Sequence, residues 1–131
     1  MPVSLEDAMS FLYGAGEVVQ GWSGERSELV QAAQQRFPGK PYCLVKRWIL
    51  VDLTTSGTEP VSAEIPPMFV FAHEVIYDSR QRFAPGYWVR SSYGISNEPP
   101  CMLETRNTVY LLMGDGYRKQ ASSETYSSLF P

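Results

Sequence analysis

Phe83-Ala84-Pro85-Gly86-Tyr87-Trp88-Val89-Arg90-Ser91-Ser92-Tyr93, followed after a proline-rich loop by Cys101-Met102-Leu103-Glu104-Thr105-Arg106-Asn107-Thr108-Val109-Tyr110-Leu111-Leu112-Met113-Gly114-Asp115-Gly116, is the stretch on which the fold turns. Short apolar or alternating runs separated by turn residues predict three antiparallel strands here. Pro85-Gly86 suits a type II turn, whose third position needs the positive φ that glycine tolerates. Arg106-Asn107 reads as the tip of a tight hairpin, with Asn accepting a left-handed backbone. Gly114-Asp115-Gly116 is turn chemistry closing the last strand. Within Tyr87–Tyr93, Trp88 and Arg90 fall on one face, and Tyr87, Val89 and Ser91 on the other. One of the adjacent rings Tyr87 and Trp88 is expected to turn inward.

Two longer strands precede this region. Met68–Asp78 alternates, placing Phe69, Phe71, Val75 and Tyr77 with His73 on one side and Val70, Ala72 and Ile76 with Glu74 on the other. Tyr42–Asp52 is apolar on both faces except at Lys46 and Arg47, the signature of a central or doubly covered strand. Residues 53–67 between them, rich in Thr, Ser, Gly and Pro, read as a loop.

Upstream, two helices are expected. Ser4 and Asp7 resemble a capping box, and Leu5, Ala8, Met9 and Leu12 follow at helical spacing until Gly14 and Gly16. A second helix runs from about Glu25 to Phe37, with Ser23 as a candidate cap and Leu29, Ala33 and Phe37 as its apolar stripe beside Val30. Pro38-Gly39 ends it. The tail, 117–131, with Tyr126, Leu129 and Phe130, reads as a docked short helix or a frayed end.

A chain of 131 residues with 44% apolar content can bury a core as one domain, here residues 1–131. It divides into a helical part (1–39), an antiparallel sheet (42–116) and the tail (117–131). The expected class is α+β: two N-terminal helices on a curved, mostly antiparallel sheet of about five strands. A formal charge of −3 argues against broad phosphate binding, which needs a basic surface. No apolar run reaches the roughly 20 residues of a membrane span, and the start lacks a signal-peptide pattern. A cytoplasmic location is therefore expected, with Cys43 and Cys101 as buried thiols.

Asp78-Ser79-Arg80, Phe83, Gly86-Tyr87-Trp88-Val89-Arg90-Ser91 and Glu104-Thr105-Arg106-Asn107-Thr108-Val109-Tyr110-Leu111-Leu112 with Gly114 give the chain a resemblance to a family of small uncharacterised proteobacterial and prophage-associated proteins. The likeness covers most of the chain and is densest over 69–116. The family pattern has an acidic residue where this chain has Tyr87. The resemblance implies a bacterial or phage origin and a shared fold, and attaches no activity.

Chemistry-bearing residues are sparse. His73 is the single histidine, and strand geometry turns neighbouring Glu74 to the opposite face. A catalytic role for His73 needs partners such as Asp78, Glu104 or Ser91 from other segments. One histidine and two separated cysteines make no metal set, so no metal and no cofactor is expected. The glycine pairs are not phosphate loops. What stands out is a mixture of Arg, Tyr and Trp, the residues that dominate binding hot spots. Arg80, Arg82, Tyr87, Trp88, Arg90, Tyr93, Arg106 and Asn107 are the candidate partner-binding set. The favoured expectation is a non-enzymatic protein-binding module, an inhibitor, immunity or anti-defence protein that covers another protein's surface. The alternatives are a nucleic-acid-binding accessory protein using Arg80, Arg82, Arg90, Arg106, Arg118 and Lys119, and a small enzyme or ligand-binding domain using His73.

Overall fold

The most apolar run of the chain becomes the longest strand and the axis of the sheet. In the computed structural model, which describes residues 5–54 and 68–122, the order is α1 (Leu5–Tyr13), β1 (Glu17–Val19), α2 (Arg26–Arg36), β2 (Tyr42–Thr54), β3 (Met68–Asp78), β4 (Val89–Arg90), β5 (Gly94–Ser96), β6 (Met102–Thr105), β7 (Val109–Leu112) and β8 (Gly116–Ser122). The described strands form one eight-stranded mixed sheet beside two small helices. The α+β class therefore holds, with eight strands where about five were expected. Two of the additions have clear origins. Residues 87–93, read as one strand, pair with β3 only at Val89–Arg90, and the chain re-enters the sheet as β5 against β6. Residues 117–122, read as the start of the tail, form with Gly116 a strand paired with both β1 and β2. The remainder of the tail, the Ser4 cap and residues 55–67 of the expected loop lie outside the described residues.

One edge of β2 pairs antiparallel with β3, from Cys43↔Asp78 to Asp52↔Met68. The other edge is shared. β7 lies parallel to Tyr42–Val45, and β8 lies parallel to Ile49–Thr54. Five of the seven pairings are antiparallel, but these two in the middle are not. Between β7 and β8 the backbone kinks through Met113-Gly114-Asp115, with Gly114 at φ 67°. The Trp48 indole N–H donates to the carbonyls of Met113 (3.2 Å) and Gly114 (3.1 Å), satisfying acceptors that the interrupted ladder leaves over. Beyond the kink the two strands part: β7 continues the sheet into β6 and β5, and β8 pairs with β1.

Strand parity breaks at the same level. Cys43 and Val45 enter the same buried cluster as Trp48 and Leu50, which strict alternation forbids. The faces change where Arg47 takes φ 55°, although the register against β3 runs on unbroken from Val45↔Val75 to Asp52↔Met68. β3 answers it. Opposite Arg47 its own parity changes between Ala72 and Val75, so Val75 joins Val70 and Ala72 inside rather than Phe71 on the opposite face, and a separate one-residue register shift follows at Ile76, between Leu44↔Tyr77 and Val45↔Val75. This corrects the simple alternation read from the sequence. Lys46-Arg47 and His73-Glu74 thus sit opposite one another as a polar notch, with Lys46 and Glu74 ion-paired at 3.2 Å.

The inner cluster is completed by Val89, Leu103, Tyr110 and Leu112. On the other face, Leu29 and Ala33 of α2 bury against Leu44, Val109 and Leu111, as the apolar stripe predicts. An 11-residue helix is marginal by itself, and burying a side chain such as Leu29 contributes about 1.5–3 kcal/mol towards keeping it. Its N-terminus is Glu25, with no side-chain cap, so Ser23 does not serve; the Trp22 indole instead donates to the Glu25 carbonyl at 2.9 Å. Phe11 and Leu12 of α1 pack over Ile49, Val51 and Phe71. The Lys119 ammonium binds the carbonyls of Phe11 and Gly14 at the helix's C-terminal end, where a cation also suits the helix dipole.

The hairpin tip departs from expectation in detail. Asn107 is not left-handed; instead the Thr105 hydroxyl donates to the Thr108 carbonyl (3.0 Å) and accepts from its N–H (3.2 Å), closing the turn. The end of β3 is tied to this hairpin by Arg82, which forks onto both Asp78 oxygens (2.9 and 2.7 Å) and reaches Thr108 Oγ1 (2.9 Å).

Two consequences are measurable. A Cβ at Gly116 would lie 2.3 Å from the Trp48 ring and 2.5 Å from its carbonyl. Gly116→Ala should therefore cost about 1–3 kcal/mol by overpacking, seen as a lower urea midpoint. The second concerns pH. Burial pushes the Asp78 carboxyl up, but the Arg82 hydrogen bonds and charge outweigh it and hold it below the ordinary range. A depressed folded value means the pair stabilises fully above the ordinary carboxyl range and is lost as pH falls through the folded value. Asp78→Asn should be less stable than the parent at neutral pH by about 2 kcal/mol, a buried-pair value reduced because Arg82 is partly exposed. Urea melts of the two proteins should converge on acidification; a constant gap would rule the assignment out.

Candidate protein-interaction surface

β2 begins between the end of β3 and the start of β7, as Cys43↔Asp78 and Tyr42↔Val109 show. The chain leaving β3, the tip before β7 and the segment leading into β2 therefore meet at one end of the sheet. Arg80, Arg82, Arg106 and Asn107, separated by up to 27 positions in the sequence, line one open groove there of about 620 Å3. Lys40, with Pro38 and Pro41, forms its other wall. Two of the four cations are already balanced: Arg82 by Asp78 and Lys40 by Glu104 at 2.7 Å. The side chains of Arg80 and Arg106 have no hydrogen-bond or ion-pair partner among the described residues and give the groove its positive excess. Half of the candidate set thus comes together, and Lys40 is a member that the sequence reading missed.

The other half lies along the next part of the chain. Tyr87, Trp88, Tyr93 and Ile95 are 66%, 58%, 52% and 55% exposed, and Arg90 is exposed beside them. Neither ring of the Tyr87–Trp88 pair turns inward. Val89 and Ser91 take the inner positions, Ser91 accepting the Val70 N–H at 2.8 Å. Tyr87 precedes the strand, where the turn at Gly86 (φ 91°) brings the Tyr87 carbonyl onto the Val75 N–H and leaves the ring outside. Asp78 lies three residues beyond Val75 on β3, so this edge begins about 10 Å from the groove. Trp88 stacks on Phe71 with centroids 5.8 Å apart, which fixes its plane while leaving more than half of it in solvent.

The ring row continues from Phe71 to His73 (5.0 Å) and from His73 to Tyr13 (4.9 Å). His73 is half-buried, and its Nε2–H donates to the Leu12 carbonyl at 2.8 Å, which fixes the tautomer. Beside it opens a cleft of about 260 Å3 lined by Tyr13, Arg47, Asp115, Gly116 and Tyr117 among others. Asp78 and Glu104, considered as partners for His73, are committed to Arg82 and Lys40 and do not line this cleft. Arg47 and Asp115 do, and were missed. The one signal for Arg47 was its interruption of an apolar strand.

Burial, with Asp78 nearby, pushes the Cys43 thiol up to about 12, so it stays protonated and non-nucleophilic at neutral pH. Burial likewise raises Tyr110 to about 12 and lifts Cys101. Both cysteines are free. Among the described residues no three His, Cys, Asp or Glu side chains are placed to hold a metal, and no helix is long and apolar enough to cross a membrane. The basic residues weighed for nucleic acid do not form one free face. Arg118 is bidentate on Asp52 (2.7 and 3.1 Å), and Lys119 is spent on α1.

No curated protein and no solved structure matches this chain. The family model described as Domain of unknown function (DUF6957) matches residues 20–128. That span contains β2 to β8, the groove and the aromatic edge, while α1 precedes it. The chain belongs to the DUF6957 family.

Proposed function

We propose that this chain is a non-enzymatic protein-binding module of bacterial or phage origin, an inhibitor, immunity or anti-defence protein that acts by covering its partner's surface. The observation that carries the reading is the run 87–95. There three large aromatic rings and Ile95 stand in solvent while alternate residues Val89 and Ser91 are locked into the sheet. Rings held by a rigid frame lose little rotamer freedom on contact, which is why Tyr and Trp anchor interfaces. The neighbouring groove adds charge selection. On a chain of net charge −3, the free guanidinium groups of Arg80 and Arg106 favour a partner that presents carboxylates at that point. The nucleic-acid alternative loses support because Arg82, Arg118 and Lys119 are engaged internally.

The test is affinity capture with the tagged chain in its native cells, run beside Tyr87→Ala/Tyr93→Ala and Arg80→Glu/Arg106→Glu variants. All four positions are exposed, so the variants should fold like the parent by circular dichroism. A stoichiometric protein should be recovered by the parent, and each double variant should weaken it by roughly 30-fold, the equivalent of a 2 kcal/mol hot spot. Equal recovery by all three chains would remove this surface from the function. Nuclease-sensitive recovery, with a matching low-salt gel shift, would move the function to nucleic acid.

A further inference from the structure

Independently of that surface, we propose that the cleft beside His73 is a binding site for a small zwitterion with an apolar or aromatic body, of the class of a free amino acid. The cleft lies where the sheet divides. β2 passes from its neighbour β7 to its neighbour β8 at this level, and the two neighbours lead away to different strands. Crevices at the points where a sheet's connections diverge are favoured ligand sites, because side chains converge there without filling the space. Two backbone distortions meet at the same level: the left-handed Arg47 and the kink at Gly114, whose carbonyl accepts the Trp48 indole N–H. A non-glycine residue held at φ 55° carries local strain, and such strain collects at functional sites.

The lining gives the ligand's chemistry. Arg47, a cation, and Asp115, an anion, both line the cleft. The two form no ion pair with each other, and neither pairs with another charged side chain among the described residues. Asp115 has only a 3.4 Å approach from the Gly21 N–H. Two opposite, unspent charges on one cleft suit a molecule carrying both an ammonium and a carboxylate. Tyr13, Tyr117 and His73 line the same cleft and suit a flat or apolar body. His73 Nε2–H is committed to Leu12, which holds the ring in place as a wall. At about 260 Å3 the cleft is just under the range of roughly 300–1,000 Å3 that takes drug-sized ligands, so a single residue-sized molecule fits.

The probe is L-phenylalanine, titrated at millimolar concentration into the 15N-labelled full chain, beside phenylalaninamide, which lacks the carboxylate, and N-acetylphenylalanine, which lacks the ammonium. L-Phenylalanine should shift the amides of Gly14, Arg47, His73 and Gly116, and each blocked analogue should bind at least about tenfold more weakly. Arg47→Gly relieves the left-handed strain while removing the guanidinium. It should keep the fold and lose at least about tenfold in phenylalanine affinity, while Asp115→Asn should lose the preference for phenylalanine over its N-acetyl form. No shift at those amides, equal binding of all three compounds, or unchanged affinity in a folded Arg47→Gly chain would overturn the site. None of these outcomes bears on capture through Tyr87, Tyr93, Arg80 and Arg106.

Discussion

The indole N–H of Trp48 resting on the carbonyls of Met113 and Gly114 is the contact on which the architecture depends. A strand has two edges, and each buried N–H and C=O along them needs a partner. β2 meets this along one edge with a single long neighbour. Along the other it uses two short ones, and a junction between two strands leaves backbone groups over. Trp48 fills the junction with ring and hydrogen bond together. The ring occupies the space that a side chain at position 116 would need, which is why glycine stands there. The left-handed backbone at Arg47 belongs to the same solution, since strict alternation from Val45 would point Trp48 to the other face.

Away from that junction, polar side chains gather at two levels of β2, its start and its middle. At its start, the β3 exit and the β6–β7 tip are fastened by Asp78, Arg82 and Thr108, and the remaining cations face outward. The ion pairs there hold the framework, and the guanidiniums of Arg80 and Arg106 have no partner among the described residues. In the middle, the notch of Lys46, Arg47, His73 and Glu74 interrupts an otherwise apolar sheet. Polar residues in so apolar a pair of strands weaken the core locally, and they sit where the strands already diverge.

Much of the fold was legible because periodicity is local. Met68–Asp78 has the bounds read from the sequence, β2 extends its expected range by two residues, and the Leu29–Ala33 stripe of α2 faces the sheet as its spacing requires. What was not legible depends on long-range pairing. Gly116-Tyr117-Arg118-Lys119-Gln120 has the composition of a surface tail, and becomes a strand only because β2 offers an open edge. The face change at Arg47 and the register shift at Ile76 do not follow from residue type, since pairing is set by both strands at once. For the candidate surface, sequence proximity identified Arg80, Arg82 and the aromatic run. The addition of Lys40 needed the tertiary meeting of three segments. The expected burial of Tyr87 or Trp88 failed because hydrophobic residues are inside only on average, and Val89 was enough to fill the inward position.

The parallel pairing of β2 also bears on how the chain can be assembled as it leaves the ribosome. Residues 42–54 emerge early, and β3 follows soon after, but both partners for the second edge lie between residues 109 and 122. Until that late portion is delivered, the most water-averse strand of the nascent polypeptide has one flank bare, the configuration in which strands join the wrong neighbour. The two small helices, already synthesised by then, can shelter a face of it but not that flank. The second edge of β2 is thus covered only once β7 and β8 have both been made, and the two meet at one indole.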